Sequence, residues 1–157
     1  MSGDKESLYS EIDPRLSLSK VSGKNLSFGV VKDVFVATQY NVGHNYQAWL
    51  KGAGVDLDIP GFAVFSINIY DKIQNAGTQH LTQYTPVYIS KEFYGLHLDG
   101  FQDITDEDFS TQNQILYNVG KHFGGEKIFV GFEHLHYRNY RTKEHTDALQ
   151  AMVKYQW

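Results

Sequence analysis

The chain has 157 residues, which is enough for one domain with a sizeable core. A formal net charge of −4 argues against a general nucleic-acid binder, and the absence of cysteine excludes a disulfide scaffold and a thiolate metal site. No run approaches the ~20 apolar residues of a membrane helix, and the polar start Met1–Ser7 is not a signal peptide. The aromatic fraction of 15% fits a β-rich protein.

Segments that alternate between apolar and polar residues follow one another along the chain, with turn residues between them. Alternation with a period of two indicates β-strands with one apolar and one polar face. No convincing helix pattern is present, so the sequence predicts an antiparallel meander. In chain order, the nine predicted strands are about Leu8–Lys20, Val31–Tyr40, Gln47–Ile59, Phe62–Asp71, Gln79–Ile89, Leu96–Ile104, Thr111–Lys121, Lys127–Asn139 and Asp147–Trp157.

Two of these strands carry irregular features. Pro14 cannot donate a hydrogen bond to a neighbouring strand, so it predicts a sheet edge or a bulge within the first strand. The phase of the fifth strand is ambiguous, and we expect Val87 and Ile89 to face outward.

The last predicted strand runs to the end of the chain and stops on an aromatic residue. Leu149, Val153 and Tyr155 share one face, whereas Gln150 and Lys154 share the other. A transmembrane β-barrel has this pattern, with apolar residues toward lipid, polar residues toward the lumen and aromatics at the interface. An amphipathic strand of a soluble sheet has the same pattern, and this strand alone does not separate the two.

The polar faces predict the side chains that would line the inside of a barrel. Opposed charges in a lumen orient a polar solute, although salt bridges that fill a small barrel are the alternative. Inward aromatics provide flat surfaces on which a planar solute stacks, although core packing is their commoner role. The candidates are Glu11, Asp13, Arg15, Phe35, Asp56, Tyr70, Asp99, Phe101, Glu133, Tyr137 and Lys154.

By parity, six polar residues fall on the outward face, and for this reason a soluble barrel remains an alternative. They are Lys51, Asp71, Gln102, Asn113, His134 and His136. His134 and His136 share a face, but no carboxylate is evident there, so we predict an interface position rather than a metal site. Asp106–Asp108 lacks the spaced ligands of a calcium site, and we predict a solvated loop there.

No arrangement of catalytic residues can be defended from the sequence, so we predict neither an enzyme nor a cofactor.

Several stretches resemble the Tsx/OmpK family of bacterial outer-membrane nucleoside-specific channel-forming proteins. The most specific is the E-I-D-P-R-L-S segment within Leu8–Lys20. The others are Leu26–Gly29, Val31–Val34, Gly54–Phe62, Leu98–Phe101, Val130–Glu133 and Leu149–Trp157.

The resemblance implies an all-β, outer-membrane-type barrel over residues 8–157, after a polar tail over residues 1–7. It implies location in the bacterial outer membrane, contact with its lipid and passage of nucleosides and related small solutes. It also implies surface loops open to phage and barrel-assembly machinery that engages the strand ending in Trp157. The alternative is a non-conducting truncated or soluble β-barrel, acting as a small-ligand binding or surface-receptor module.

The resemblance also implies about twelve strands, so three N-terminal strands are expected to be missing here. Nine antiparallel strands give the first and last strands the same direction, whereas bacterial single-chain barrels normally have an even number. We therefore expect these two strands either to pair in parallel and close a narrow barrel, or to pair with another chain, with Pro14 near a bulge in the seam.

Overall fold

The computed structural model describes residues 10–43, 46–74, 79–124 and 127–156, so the predicted tail 1–7 and Trp157 lie outside the described residues. Ten strands form one sheet. They are β1 Ser10–Ile12, β2 Arg15–Ser17, β3 Val31–Gly43, β4 Tyr46–Leu57, β5 Phe62–Gln74, β6 Gln79–Ser90, β7 Leu96–Ile104, β8 Asp108–Asn118, β9 Ile128–Asn139 and β10 His145–Tyr155. The predicted all-β meander is confirmed, because each strand from β3 to β10 pairs antiparallel with the next.

The first predicted strand is divided at Pro14. β1 and β2 both pair with β3, and the pairs Ile12–Tyr40 and Arg15–Ala37 belong to one continuous register. The backbone nitrogen of Thr38 donates to the Pro14 carbonyl at 3.1 Å, but proline has no N–H to return the bond. The first of the two predicted alternatives, a sheet edge, is therefore confirmed, and no residue is inserted in the β1–β3 and β2–β3 pairings.

The predicted parallel closure within one chain is not present. β1 and β10 lie at opposite edges of the sheet, and no pairing joins them in the part of the chain described. The two strands run in the same direction, as predicted. A pairing between them would therefore be parallel, unlike the antiparallel pairings between the other strands of the sheet.

Two short helices lie between the strands, although the sequence shows no helix pattern. α1, Leu18–Ser22, begins where the Ser17 hydroxyl accepts from the Lys20 nitrogen at 3.1 Å, and it ends at Gly23 with φ of 66°. A 3₁₀ helix, Val119–Phe123, replaces the end of the predicted strand Thr111–Lys121. Both are single turns, too short to produce a periodic apolar pattern. No helix in the described ranges is long and apolar enough to cross a membrane.

The meander has two ends. The upper end holds the β3–β4, β5–β6, β7–β8 and β9–β10 connections, and the lower end holds α1, the other connections and the end of β10. Strands β3 and β5 extend by three residues into segments that the sequence indicates are loops. At their upper ends, the inner sides of both strands carry polar residues. The polar residues Asn41 and Lys72 therefore belong to the strands and do not mark where they end.

Two glycines on the inner side of β4 allow neighbouring groups to approach closely. A Cβ at Gly54 would lie 2.5 Å from the Phe35 ring, and one at Gly52 would lie 1.9 Å from the Ile69 carbonyl oxygen. Phe35 therefore covers Gly54, and this contact anchors a small buried cluster of Phe35, Ala37, Ala48, Leu50 and Tyr70.

Replacing Gly54 by valine should lower the free energy of unfolding by about 1–3 kcal/mol, because the new side chain overlaps the Phe35 ring. Urea unfolding of the refolded protein, followed by tryptophan fluorescence, measures this loss. Ala53→Val is the matched control, since Ala53 lies on the exposed face of the same strand and should change stability by no more than about 0.5 kcal/mol. Equal losses in the two variants would contradict the assignment of faces.

At the lower end, a charged contact joins two connections. The Lys121 ammonium donates to the Glu92 carboxylate, and this contact holds the pKa of Glu92 below its usual range. Because the folded pKa is lowered, the stabilisation is present above the unfolded pKa and is lost as the pH falls through the folded value.

Glu92→Gln should therefore lower the free energy of unfolding at pH 6 and have little effect near pH 3. Urea unfolding at the two pH values measures the difference. Glu144→Gln is the control, since Glu144 lies in an exposed connection and meets Thr142 rather than a cation. A Glu92→Gln effect that does not change with pH would contradict the contact.

Candidate functional site

The outer face of the sheet carries a band of exposed apolar side chains. Leu149 and Val153 of β10 are 72% and 74% exposed. Each faces the same side as the apolar residues of the preceding strands, because Leu149 pairs with His134 and Val153 with Val130. The exposed members of the band include Val36, Ile67, Ile69, Leu98, Ile115, Val130, Phe132, Leu149 and Val153.

Exposed aromatic residues flank this band at both ends. At the upper end, Tyr40 and Trp49 stack with ring centroids 4.2 Å apart. At the lower end, Phe28, Phe93, Tyr94, Phe123 and Tyr155 are all exposed, Tyr94 to 86%. An apolar band between two aromatic girdles is the pattern of a surface that meets a lipid bilayer.

Several of the polar residues predicted to face outward lie beside other polar groups on that face. Lys51 stands opposite Asp71 in the β4–β5 register, and Asp71 Oδ1 lies 3.1 Å from His80 Nδ1. Asn113 accepts a hydrogen bond from the Tyr88 hydroxyl. These contacts compensate the polar groups within the sheet, which weakens the case for a soluble barrel.

His134 and His136 share a carboxylate that sequence reasoning missed. Asp147 Oδ1 lies 3.1 Å from His134 Nε2, and Asp147 Oδ2 lies 2.9 Å from His136 Nδ1. The expectation of no carboxylate on this face is wrong, because β10 pairs with β9 and brings Asp147 opposite His136. Among the described residues, no group of three or more such side chains is arranged to hold a metal ion.

The inner face is concave, and side chains from distant strands meet across it. A cavity of about 240 Å³ is bounded by residues of β1, β2, β3, β5, β6 and β7 and by Asp13 between β1 and β2. Its lining is Glu11, Asp13, Arg15, Gln39, Asn68, Tyr70, Thr85, Val87, Phe101 and Asp103. Five of the predicted lumen residues therefore line one cavity: Glu11, Asp13, Arg15, Tyr70 and Phe101.

Arg15 is held at the edge of this cavity by two contacts. Its guanidinium carbon lies 3.5 Å from the centroid of the Phe35 ring, and its Nη2 lies 2.7 Å from Asp56 Oδ1. Ser66 also donates to Asp56. The predicted residues Phe35 and Asp56 thus lie behind the cavity, where they position Arg15.

Toward the upper end, a second ion pair crosses the concave side. Lys72 of β5 is 7% exposed, and its ammonium lies 3.8 Å from the Asp108 carboxylate of β8. β6 and β7 stand between these strands in the sheet, so the contact requires strong curvature. Sequence reasoning missed it, since Lys72 lies just beyond the predicted strand Phe62–Asp71.

The remaining predicted residues lie on β7 to β10. Lys154 Nζ lies 2.6 Å from Asp99 Oδ2 across the two intervening strands. Glu133 accepts from the side-chain nitrogens of Gln112 and Gln114. Tyr137 is near the upper end, where its hydroxyl accepts from Asn139 at 3.3 Å. The structure thus gathers the candidates into two groups rather than one.

Five cavity residues were missing from the predicted site: Gln39, Asn68, Thr85, Val87 and Asp103. Gln39, Asn68 and Asp103 share the parity of predicted residues on their own strands, so the alternation itself carried the signal for these three. Thr85 lies on β6, where the alternation gave no such signal. The outward orientation predicted for Val87 and Ile89 is wrong, because these residues pair with Phe101 and Asp99, which face inward, and Val87 lines the cavity. Polar residues occupy both faces of β6, which left its phase undetermined.

Arg15→Gln should loosen the edge strand, because it removes an ion pair worth about 0.2–1 kcal/mol and a cation–π contact worth about 0.5–1 kcal/mol. Amide hydrogen exchange in residues 10–17 should become several-fold faster. Arg141→Gln is the control, since Arg141 contacts Glu107 at the upper end. Unchanged exchange in residues 10–17 would show that Arg15 does not hold the strand.

The curved antiparallel sheet, with an apolar girdled outer face and a polar charged inner face, defines the outer-membrane β-barrel class. Comparison with known proteins narrows this class. A family model described as the nucleoside-specific channel-forming protein Tsx matches residues 1–84, and the chain belongs to this family.

Similar proteins with two different names support the assignment to this family. The nucleoside-specific channel-forming protein Tsx of Salmonella typhimurium is 35% identical over 77 residues, which cover 45% of this chain and 27% of the relative. Tsx of Klebsiella aerogenes is 37% identical over 73 residues, covering 43% and 25%. The outer membrane protein OmpK of Vibrio parahaemolyticus is 27% identical over 154 residues, covering 89% and 58%. The chain therefore spans less than two thirds of each of these relatives.

Proposed function

We propose that this chain forms the wall of an outer-membrane channel that passes nucleosides and related small solutes. The names of the Tsx and OmpK relatives support the membrane and the solute class. The observation that carries the proposal is the inner cavity, which combines aromatic surfaces with charged and amide groups on the concave side of the sheet.

The chemistry of this cavity suits a nucleoside. Tyr70 and Phe101 offer ring surfaces on which a base stacks. Asp103 offers carboxylate oxygens that accept hydrogen bonds from ribose hydroxyls or exocyclic amines. A solute held by such weak contacts can both enter and leave, as conduction requires.

The proposal includes further partners. The apolar outer face contacts outer-membrane lipid, the strand that ends in Trp157 engages the barrel-assembly machinery, and the upper-end loops are candidates for phage contact. Residues 1–7 are proposed as a tail and residues 8–157 as the barrel domain. The channel carries out transport rather than enzymatic chemistry.

Adenosine should reduce the single-channel current of the protein in a planar bilayer, because a bound nucleoside occupies the route of the ions. Phe101→Ala should weaken this effect about 5- to 150-fold in adenosine concentration, since loss of one stacked base contact costs about 1–3 kcal/mol. Phe132→Ala is the control, because Phe132 lies on the outer face and should leave the adenosine effect unchanged.

Two outcomes would contradict the proposal. A current that does not change when adenosine is added would contradict the proposed specificity for nucleosides. The absence of any current would favour the alternative, a non-conducting binding or receptor module. The position of β1 and β10 at opposite edges of the sheet, with no strand pairing between them in the described part of the chain, gives that alternative a structural basis.

A further inference from the structure

We propose that the inner face makes the channel cation-selective, so that neutral and positively charged solutes enter and anionic solutes are rejected. The inference rests on the proposed channel function and specifies the charge class of its solutes. It is carried by the balance of acidic and basic groups on the concave side.

The three cationic side chains that reach across the inner face each contact a carboxylate. Arg15 contacts Asp56, Lys72 contacts Asp108 and Lys154 contacts Asp99. Their positive charge is therefore balanced within the wall, and none of the three presents an unopposed cation to a solute.

Further carboxylates face inward beyond these three pairs. Asp103 accepts from the Thr85 hydroxyl at 2.7 Å, and Glu133 accepts from Gln112 and Gln114, so the hydrogen-bond donors to both are neutral. Asp13 lines the same cavity as Asp103. Among the charged residues that line the cavity, three are acidic and Arg15 is the one base. The inner face consequently carries an acidic excess.

Uncharged groups on this face add to the same imbalance. Asn68 lines the cavity and is 6% exposed, and its amide nitrogen donates to the Thr85 carbonyl at 3.1 Å. Its amide oxygen has no donor within the described residues, and neither has that of Gln83 on the next strand. Both oxygens are buried within the wall, so their partial negative charge adds to the field of the carboxylates without offering a hydrogen bond to a solute.

The physical consequence is a negative potential inside a narrow route with low-dielectric walls. Such walls focus the field of the carboxylates, which raises the local concentration of cations and lowers that of anions. Rings of acidic side chains make other pores cation-selective by the same effect. An ammonium group would be attracted between Asp13 and Asp103, whereas a phosphate would be repelled.

The reversal potential in a KCl gradient across a planar bilayer tests the inference. The protein should pass K⁺ more readily than Cl⁻, and Asp13→Asn with Asp103→Asn should lower that preference several-fold. Asp71→Asn is the matched control, because it removes the same charge from the outer face of β5 and should leave selectivity unchanged. Equal passage of the two ions, or an equal change in the control, would overturn the inference.

A binding measurement decides the question if no current is seen. In detergent solution, 5′-amino-5′-deoxyadenosine should bind several-fold more tightly than adenosine 5′-monophosphate, and the double variant should narrow the gap. Equal binding, the reverse order or no binding of either compound would overturn the inference. If no current is seen but the amino compound binds more tightly than the phosphate, only the proposed channel function is contradicted. If adenosine reduces the current but the channel shows no preference for cations, only the proposed charge selectivity is contradicted.

Discussion

Strand register is the constraint on which both faces of this sheet depend. A slip of one residue would move Asn68 and Tyr70 to the outside and Ile67 and Ile69 to the inside. Register shifts occur between Val31 and Asp33 and between Phe62 and Val64, both at the lower end. The middle of the sheet keeps one register across strands β3 to β6, and β3, β5 and β6 contribute half of the residues that line the cavity.

Curvature is the second requirement, because a flat sheet would not bring β2 and β7 to one cavity. Gly52 and Gly54 leave the inner side of β4 without side chains, so neighbouring groups fill that space. Phe35 covers Gly54, and Arg15 lies over Phe35 and reaches Asp56. The edge strand that Pro14 interrupts is thus attached to the sheet by side-chain contacts as well as by its ladder. The same side chains therefore both pack the sheet and form part of its polar inner face.

Much of the fold could be predicted from the sequence, because a period of two is visible within a single strand. The faces of β3, β4, β5 and β7 follow directly from their alternation. The phase of β6 does not, since Thr82 and Gln83 are both polar although one faces outward and the other inward. Contacts such as Asp99 with Lys154 join residues 55 positions apart and depend on curvature, which no local pattern encodes. Alternation identifies the members of the site, whereas the curved sheet decides which of them meet.

The two faces treat charge in different ways, and their surroundings explain the difference. A charge that faces lipid is costly unless it is compensated or lies near an interface, and on the outer face Asp71 and Asp147 each contact histidine. A charge that faces a hydrated interior meets water and ions, so an uncompensated carboxylate is tolerated there. On the inner face, Asp103 and Glu133 accept hydrogen bonds from neutral side chains, and these bonds offset part of the cost of placing a carboxylate there. In the proposed channel this acidic excess lies along the path of the solute, so it acts on what passes.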